Sequence, residues 1–517
     1  MSIQEKAAPV PGPRVAAGGS DDHQPLDLVL ELCRTLSARG VDYCHWKSNE
    51  AIDRSASGEN DLDLLVRREH AARFTEVVHG LGFRQARLSP PSEIPAVLHF
   101  IGVDPRTGRF VDIHAHYQLV VGDDMTKNHR LPIEDAYLAS CRQDTIFRLP
   151  APDFELALLV IRLVLKHAAW DARLTLQGGL AASERREVDF LAARTSWEAV
   201  AAVVGEHLPF LDRALWDRCV RWVQGQAAHP TSAPWSGVGV ARDLSHALAA
   251  HTREPWLPDV SLKVWRRGRI FLRRRVLRLP SERMRLETGG AIVAIVGGDG
   301  AGKSTAVEAT TAWLSGVFRT RAVHLGKPPQ GAVTLAARAA WGLTAPLRSS
   351  GTTGTAALEA ASPGQPLGGR GTARLVFEVL TARDRYRAYV RARHAAAEGV
   401  LVICDRFPLP EVMQTDSAVS SRMSLADDAG RTARALAAVE QHYYRQLLAP
   451  DVLVVLRVNP EVAVERKRGV EPEDYVRRRA DEVWNIGWTD SSAVVIDADQ
   501  PQEKVLADVK RDLWSRL

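Results

Sequence analysis

The 517-residue chain is poor in cysteine, has little net charge and contains no long hydrophobic run. Its five cysteines are scattered and odd in number, so they indicate neither a disulfide framework nor a zinc site and favour a reducing, cytoplasmic location. The lack of long apolar runs and of a basic, apolar leader argues against membrane-spanning segments and secretion. A formal charge of +5 is small for this length, so charge alone does not indicate nucleic-acid binding.

Composition divides the sequence into four regions, in keeping with the two or three domains expected at this length. Residues 1–25 hold Pro, Gly, Ala and charges without periodicity and are predicted to be a disordered tail. Residues 26–226 predict a domain of mixed strands and helices, and residues 227–288 a linker with a basic amphipathic helix. Residues 289–517 repeat strand, loop and helix, which predicts a parallel α/β domain.

A phosphate-binding loop is the most informative stretch of the second half. An apolar run over 292–296 predicts a buried strand, and a helical pattern follows a glycine-rich turn. The turn has the spacing Gly-x-x-x-x-Gly-Lys-Ser, which binds nucleoside triphosphates in this context. Nine consecutive residues are expected to bind the nucleotide: Gly297, Gly298, Asp299, Gly300, Ala301, Gly302, Lys303, Ser304 and Thr305. Lys303 can reach the β- and γ-phosphates and Ser304 can ligate Mg²⁺, so ATP and Mg²⁺ are the expected cofactors.

Two predicted strands of the first half carry carboxylates. Asp61 and Asp63 share one face of a strand, because side chains alternate along it, and such a pair of like charges favours a divalent cation as its partner. Asp112 lies between apolar neighbours in a second strand pattern. His114 and His116 share the face of Asp112, and they either support metal ligands or form an ordinary polar strand face.

Two further segments carry charge outside these motifs. The region 152–226 is predicted to be helical, with Lys166 and His167 at a solvated helix end. The segment 263–278 is basic, amphipathic and aromatic, and it has three interpretations: contact with acidic membrane lipids, contact with nucleic acid, or a solvated connector. Its charges run nearly all round the helix, which favours the connector, with a peripheral membrane role second and nucleic acid the least favoured.

The stretch 41–119 resembles the nucleotidyltransferase superfamily, which has a small-residue turn, an Asp-x-Asp strand and a third Asp on another strand. The resemblance implies an α+β nucleotidyltransferase-like domain with a helical extension. It also implies that Asp61, Asp63 and Asp112 ligate metal and that Lys47 and Ser48 approach the triphosphate. The Lys-Ser turn departs from the Gly-Ser or Lys-Gly that is usual there.

The region 289–517 resembles the thymidylate kinase family of P-loop nucleoside monophosphate kinases. The matching pieces occur in family order: the phosphate loop, the strand end Asp405-Arg406-Phe407, the strand and helix over 450–463, and the lid and arginine helix over 465–479. The resemblance implies a P-loop kinase domain with a parallel sheet, and a homodimer formed through its helices.

The same resemblance implies roles in phosphoryl transfer. Arg406 would clamp the acceptor phosphate, Asp405 would bind Mg²⁺ through water or orient the acceptor, and Asp299 would face the acceptor sugar. The cations expected to close over the donor phosphates are Arg466, Lys467, Arg468 and Arg478. Departures fall on the acceptor side, where His324 to Pro329 replaces the family's Arg-Glu-Pro-Gly motif, and at Val296, where a Glu is common.

The leading functional hypothesis is therefore ATP- and Mg²⁺-dependent phosphoryl transfer to a small-molecule acceptor, either a nucleoside monophosphate or a diverged substrate. Two alternatives stay open. One is a bifunctional kinase and nucleotidyltransferase, or a nucleotidyltransferase acting on RNA or a metabolite. The other is a nucleotide-sensing switch without catalysis, which the presence of Lys303 and Ser304 makes the least favoured.

Overall fold

The computed structural model describes residues 24–88, 92–94, 96–144, 146–169, 179–228, 237–278, 283–344, 369–412, 418, 430–488 and 492–517. The chain forms two compact units that divide between Glu282 and Arg283. The tail predicted over 1–25 lies outside the described residues except for its last two positions. None of the helices in the described ranges combines the length and the apolar character needed to span a bilayer.

The first unit mixes short strands with helices, as its sequence pattern predicts. Its strands are β1 (Tyr43–His45), β2 (Leu62–Val66), β3 (Arg84–Arg87), β4 (Val97–Val103), β5 (Phe110–His116), β6 (Leu119–Val121), β7 (His129–Leu131), β8 (Arg142–Gln143) and β9 (Arg148–Leu149). Its helices are α1 (Asp27–Ala38), α2 (Ile52–Ala56), α3 (Ala71–Gly80), α4 (Glu134–Ser140), α5 (Pro152–Leu163), α6 (Ala182–Ala192), α7 (Trp197–His207), α8 (Arg213–Ala228), α9 (Val238–Ala247) and α10 (Trp256–Phe271).

The main sheet of the first unit separates two hydrophobic cores. Its strands follow the order β1-β2-β5-β4-β3, with β2 and β5 parallel and the other neighbouring pairs antiparallel. Leu62 and Leu64 of β2 belong to the core that contains α1 and α3, whereas Leu65 belongs to the core built by α5 to α9. Because side chains alternate along a strand, Asp63 shares the face of Leu65. The polar residues of the predicted site therefore face the helical layer.

The prediction of a linker within residues 227–288 is wrong for residues 238–247. Residues 238–247 form α9, whose Val240, Ala241 and Leu244 are buried in the same core as α5. Glu254 N–H donates to the side chain of Asn128 at 2.8 Å, which ties the next stretch to the loop before β7. The His- and Ser-rich composition conceals an apolar helical face at i, i+1 and i+4 spacing.

The predicted basic helix is present as α10. Its inward side is charged: Arg267 pairs with Asp123 at 2.6 Å, and Lys263 pairs with Asp259 at 2.7 Å. Its apolar side chains Val264 and Phe271 are exposed. Part of the positive charge therefore holds the helix against its own unit, and a membrane-surface role stays a prediction.

The second unit is a parallel α/β structure, which confirms the fold class predicted for this half. Its strands are β10 (Arg285–Leu286), β11 (Ile292–Gly297), β12 (Thr320–His324), β13 (Leu401–Asp405), β14 (Val452–Arg457) and β15 (Val494–Asp497). Its helices are α11 (Lys303–Ser315), α12 (Ala332–Thr344), α13 (Gly369–Ala397), α14 (Arg431–Arg445), α15 (Pro460–Lys467), α16 (Glu473–Asn485) and α17 (Gln502–Arg516). The sheet order is β12-β13-β11-β14-β15, and every neighbouring pair is parallel.

Candidate functional site

The phosphate loop (residues 297–305) connects β11 to α11 in the second unit. β11 is buried along its whole length in the middle of the sheet, so the loop lies at the carboxyl end of a parallel sheet, where such folds bind ligands. Gly300 and Gly302 have φ angles of 82° and 83°, which favour glycine. α11 begins at Lys303, so a helix N-terminus adjoins the loop.

Neighbouring helices approach the loop too closely for side chains at two glycines. A Cβ at Gly298 would lie 2.8 Å from Cα of Ala480 on α16. A Cβ at Gly300 would lie 2.9 Å from the carbonyl oxygen of Ala463 on α15. Both contacts are with backbone atoms, so the loop keeps its shape only with glycine at these positions.

Three cations surround one carboxylate at this loop. The Asp299 oxygens lie 3.6 Å from Lys303 Nζ, 3.4 Å from Arg406 Nη2 and 2.7 Å from Arg479 Nη1. Lys303 Nζ also donates to the carbonyl of Gly298 at 2.7 Å. The side chains of Asp299 and Lys303 are buried. This group, called the loop cation cluster below, has an excess of positive charge that favours an anionic ligand.

The loop cation cluster keeps Asp299 ionised. Burial opposes the ionisation of Asp299, but Lys303, Arg479 and Arg406 outweigh it and hold the pKa of this carboxyl below its ordinary value. An ionised Asp299 orients the three cations around the loop before any ligand arrives. Such preorganised charge is effective in catalysis because it costs no rearrangement during the reaction.

The predicted lid cations divide into those that reach the loop and those that do not. Arg466 Nη1 donates to the carbonyls of Gly300 and Ala498, at 3.3 Å and 2.9 Å. Arg468 instead pairs with Glu465 at the surface. The structure therefore brings Arg466 to the phosphate loop and leaves Arg468 away from it.

Arg479 contacts the phosphate loop, whereas the sequence pattern had favoured the adjacent Arg478. Arg478 donates to the carbonyl of Asp474 within α16, whereas Arg479 contacts Asp299. On α16 the buried residues are Val476, Ala480 and Val483, at the i, i+4, i+7 spacing of an inward helix face. Position 479 flanks that face, so the helical period was the signal that could have selected it.

The predicted acceptor residues lie beside the loop. Asp405, at the end of β13, pairs in register with Ile295 of β11. Asp405 Oδ1 is buried and has no hydrogen-bond partner in the described part of the chain, and Oδ2 lies 3.8 Å from His324 Nε2. Arg406 has a φ of 61°, a strained conformation for this residue type and one that recurs at ligand sites. The unpaired carboxylate oxygen fits the predicted role of holding Mg²⁺ through water.

The three carboxylates predicted in the first unit meet around one histidine. His114 Nε2 lies 3.6 Å from Asp61 Oδ2 and 3.6 Å from Asp112 Oδ2, and His114 Nδ1 lies 3.5 Å from Asp63 Oδ1. These four residues form the acid–histidine cluster. Their contacts favour a role for His114 in the site over that of an ordinary polar strand face.

Titration in the acid–histidine cluster reflects an excess of negative charge. Burial opposes charge on His114, but hydrogen bonds to Asp112 and Asp63 raise its pKa to about 10. Burial, with Asp112 and Asp63 nearby, raises the pKa of Asp61 although His114 acts in the opposite direction. Histidine in its charged form therefore provides the cationic centre of the cluster.

Lys47 contacts the acid–histidine cluster, whereas Ser48 contacts a carboxylate outside it. Lys47 Nζ lies 2.9 Å from Asp63 Oδ1, and His116 Nε2 hydrogen-bonds the same oxygen at 3.2 Å. Ser48 has a φ of 59° and its N–H donates to Glu187 Oε1 at 3.0 Å. Two protein cations thus lie among the carboxylates that were predicted to bind metal.

His99 of β4 completes a group whose donor atoms could hold a metal ion. Donor atoms of His99, Asp112 and His114 all lie within 4.8 Å of one another. His99 Nδ1 and Asp112 Oδ1 are buried and have no hydrogen-bond partner among the described residues. Carboxylate oxygens suit Mg²⁺ and Mn²⁺, whereas imidazole donors suit zinc and other transition metals, so this mixed group of donors favours a transition metal over magnesium. His99 was missed because only the β4–β5 pairing places it opposite His114.

Comparison of the chain with known protein families finds no matching family, and comparison with curated proteins finds no similar sequence.

Proposed function

We propose that the second unit transfers a phosphoryl group from ATP, with Mg²⁺, to a small-molecule acceptor, as a kinase of the thymidylate-kinase-like type. The observation that carries this proposal is the loop cation cluster, in which Lys303, Arg406 and Arg479 surround Asp299. Phosphoryl transfer depends mainly on positioning and on neutralising charge on the moving group. A glycine loop with three oriented cations provides both.

The residues of the site suit distinct tasks. Lys303 and the N-terminus of α11 would bind the donor phosphates, and Arg466 would support the loop through its hydrogen bond to Gly300. Arg406, in its strained conformation, would leave Asp299 for the acceptor phosphate. Mg²⁺, when held by Ser304 and through water by Asp405, would neutralise further charge on the donor phosphates.

An arginine of α13 holds the turn on the acceptor side of the site, where the sequence departs from the thymidylate kinase pattern. Arg385 of α13 donates from Nε to the carbonyl of Leu325 at 2.6 Å and from Nη2 to that of Gly326 at 3.0 Å. These bonds fix the turn that stands where the related kinases carry Arg-Glu-Pro-Gly. The acceptor is a nucleoside monophosphate or another small phosphate or alcohol.

Nucleotide turnover tests the proposal directly. Full-length protein with ATP and Mg²⁺ is incubated with nucleoside monophosphates and with sugar phosphates, and ADP is measured. With the productive acceptor, Lys303→Ala is expected to lower kcat at least about 100-fold, because it removes preorganised positive charge. Lys504→Ala, an exposed lysine on α17, serves as the matched control. Normal turnover by Lys303→Ala, or ATP binding without ADP formation for any acceptor, contradicts the proposal.

Nucleotidyl transfer by the first unit is a second candidate function. The observation that favours it is the meeting of Asp61, Asp63 and Asp112 on one face of the sheet around His114. Carboxylates that converge in this way can hold the divalent cations on which nucleotidyl transfer depends. Such a reaction joins a nucleoside monophosphate to an acceptor and releases pyrophosphate, which distinguishes it from the ADP formed by a kinase.

A further inference from the structure

We propose that the exposed side of α10, with the π-helical turn that continues it, docks the first unit on an anionic lipid surface. Five apolar side chains form this side and are called the outer apolar face below. They are Leu257, Val264, Trp265, Phe271 and Leu272. None of them belongs to either candidate active site, so the inference goes beyond the proposed kinase activity and does not rest on it.

Charged groups hold α10 against its own unit. The helix, which is described along its whole length, buries only Asp259. Lys263 Nζ lies 2.7 Å from Asp259 Oδ2, and Arg267 Nη2 lies 2.6 Å from Asp123 Oδ2. Arg266 donates to a backbone carbonyl of the loop before β7. Positions 259, 263, 266 and 267 share one side of a helix, so the charged side faces the protein and the apolar side faces outwards.

The outer apolar face is contiguous and strongly exposed. Its five residues are 49% to 66% exposed. They recur at intervals of seven and eight residues, which places them on one side of the helix. Ser261 and Gly268 lie between them on that side, so no charged group interrupts the face. Single apolar residues are normal on protein surfaces, whereas a contiguous apolar patch usually marks a contact.

Aromatic rings on this side suit the boundary between lipid and water. Trp265 and Phe271 belong to the outer apolar face, and Trp256 at the start of α10 is exposed as well. The guanidinium carbon of Arg269 lies 5.6 Å from the centre of the Trp265 ring. Tryptophan is enriched in the headgroup region of membranes, because one end of its side chain is apolar and the other end is polar.

Hydrogen bonds just before α10 fix the orientation of the helix. Glu254 and Asn128 exchange two hydrogen bonds, at 2.8 Å and 2.9 Å. Arg253 donates to the carbonyls of Thr126 and Lys127, at 3.3 Å and 3.1 Å. These bonds, with the ion pairs of α10, limit rotation of the helix about its axis. The outer apolar face is thereby preorganised, which lowers the entropy lost on binding.

The charge of the segment selects the kind of lipid. Residues 256–278 contain eight cations and a single carboxylate, the buried Asp259. Arg274, Arg275 and Arg278 are exposed directly after α10. Each basic residue close to an anionic membrane adds to the attraction. An apolar face with exposed arginines beside it therefore matches acyl chains and anionic headgroups together.

Two other partners fit the segment less well. A nucleic acid would meet the arginines, but its phosphate backbone offers no apolar surface to Val264 and Phe271. A second copy of this chain would cover the apolar side chains, but it would add eight further cations and again one carboxylate. An anionic lipid surface complements both the apolar groups and the charge.

Cosedimentation with lipid vesicles tests this surface in the full-length protein. Vesicles of phosphatidylcholine with about 30 mol% phosphatidylglycerol should bind the native protein at least about 10-fold more tightly than vesicles of phosphatidylcholine alone. Phe271→Ala should weaken binding to the anionic vesicles about 10-fold, because it removes an apolar ring from the contact. Arg274→Gln combined with Arg275→Gln should weaken it about 20- to 30-fold and reduce its dependence on salt.

Matched controls carry similar changes elsewhere in the chain. Leu448→Ala removes an exposed apolar side chain of the second unit. Arg221→Gln combined with Arg242→Gln removes two exposed arginines from α8 and α9. Both control proteins should bind the anionic vesicles as the native protein does, and every variant should keep the native circular dichroism. Vesicle binding needs neither ATP nor an acceptor, so its loss and a loss of kinase activity are measured independently.

Several results would overturn the proposal. One is equal binding to the neutral and the anionic vesicles, or binding to neither. Another is binding to the anionic vesicles that Phe271→Ala and the double arginine change leave unaltered. A partner of another class would also overturn it: a dimer in analytical ultracentrifugation that Phe271→Ala dissociates, or a nucleic acid duplex bound through the arginines by a protein that binds no vesicles.

Discussion

The two candidate sites of this chain contain the same kinds of groups in opposite proportions. In the second unit, one carboxylate, Asp299, is surrounded by three cations. In the first unit, three carboxylates surround His114, with Lys47 against one of them. Positive charge is in excess at the loop cation cluster of the second unit, and negative charge is in excess at the acid–histidine cluster of the first unit.

That difference decides what each site can recruit. An excess of cations at a glycine loop favours an anionic substrate, and the buried Asp299 only holds those cations in position. An excess of carboxylates favours a cation, and His114 occupies that role when no metal competes for it. A cation that enters the first unit would therefore bind among these carboxylates.

The largest expected effect on activity comes from substituting Arg479 on α16, compared with the same substitution at the adjacent Arg478. Arg479→Gln removes the 2.7 Å ion pair with Asp299, whereas Arg478→Gln removes only a contact to a carbonyl of its own helix. We expect kcat/KM for phosphoryl transfer to fall about 100-fold for Arg479→Gln, because a preorganised charge is lost. The Arg478→Gln variant should remain within about twofold of the native protein. Steady-state kinetics with the productive acceptor measures both.

The adjacent variants control for each other, since both remove one positive charge from the same helix. Equal losses in the two would mean that net charge, and not the contact with Asp299, supports the reaction. Equal activity in both would contradict a role for Arg479 in the loop cation cluster.

A smaller effect is expected when the acid–histidine cluster is probed with Mn²⁺. Asp112→Asn and His99→Ala should each weaken Mn²⁺ binding about 10-fold or more, because each removes one donor from the group formed with His114. Calorimetry or the paramagnetic resonance of bound Mn²⁺ provides the measurement. His246→Ala, an exposed histidine on α9, is the control.

A third variant, Asp61→Ala, discriminates between the functions of the first unit. Pyrophosphate release from labelled nucleoside triphosphates, lost in Asp61→Ala, would support nucleotidyl transfer. Mn²⁺ binding that is unchanged by both Asp112→Asn and His99→Ala would contradict a metal site in this cluster.

Local sequence patterns predicted the phosphate loop of the second unit well, because its residues are consecutive in the chain. The strand, the glycine turn and the helix of the phosphate loop follow each other in the sequence, and β11, β13 and β14 are apolar runs that could be read directly. Choosing between Arg478 and Arg479 required the phase of α16, which the spacing of its three buried residues, Val476, Ala480 and Val483, indicates. Arg468 pairs at the surface with Glu465, one turn earlier in the chain, and its expected role at the donor phosphates stays a prediction.

Contacts made by tertiary pairing were beyond the sequence. His99 joins His114 only through the register of β4 and β5. Lys166 and His167 were expected at a solvated helix end, yet Lys166 contacts Asp124 and Glu184, and His167 is buried at 2.9 Å from Glu184. The π-helical turn that redirects these residues has no sequence signature of its own. The strand faces carrying Asp63 and Asp112, by contrast, follow from simple alternation and were predicted correctly.

The smallest expected effect concerns the pH dependence of stability, which should have opposite signs in the two units. Burial, with Glu187 nearby, raises the pKa of Glu155 to about 8 although its contacts with Asn49 and Arg162 act in the opposite direction. The folded first unit therefore holds a proton that the unfolded chain releases near pH 4.5, so stability declines as pH rises between those values. Asp299 has a lowered pKa, so its contribution is lost only as pH falls into the acid range.

The Glu155→Gln substitution tests the decline in stability that is expected as pH rises, because it removes the ionisable group. The glutamine keeps an oxygen to accept the N–H of Asn49, which lies 3.4 Å from Glu155 Oε1, but it cannot ionise. Between pH 7 and 8 the native protein should lose about 1 kcal/mol more free energy of unfolding than Glu155→Gln. Urea unfolding of both proteins at the two pH values, followed by circular dichroism, measures the difference. Parallel losses in the two proteins would mean that Glu155 is ionised in the folded state, and that Arg162 and Asn49 stabilise its charge more than burial opposes it.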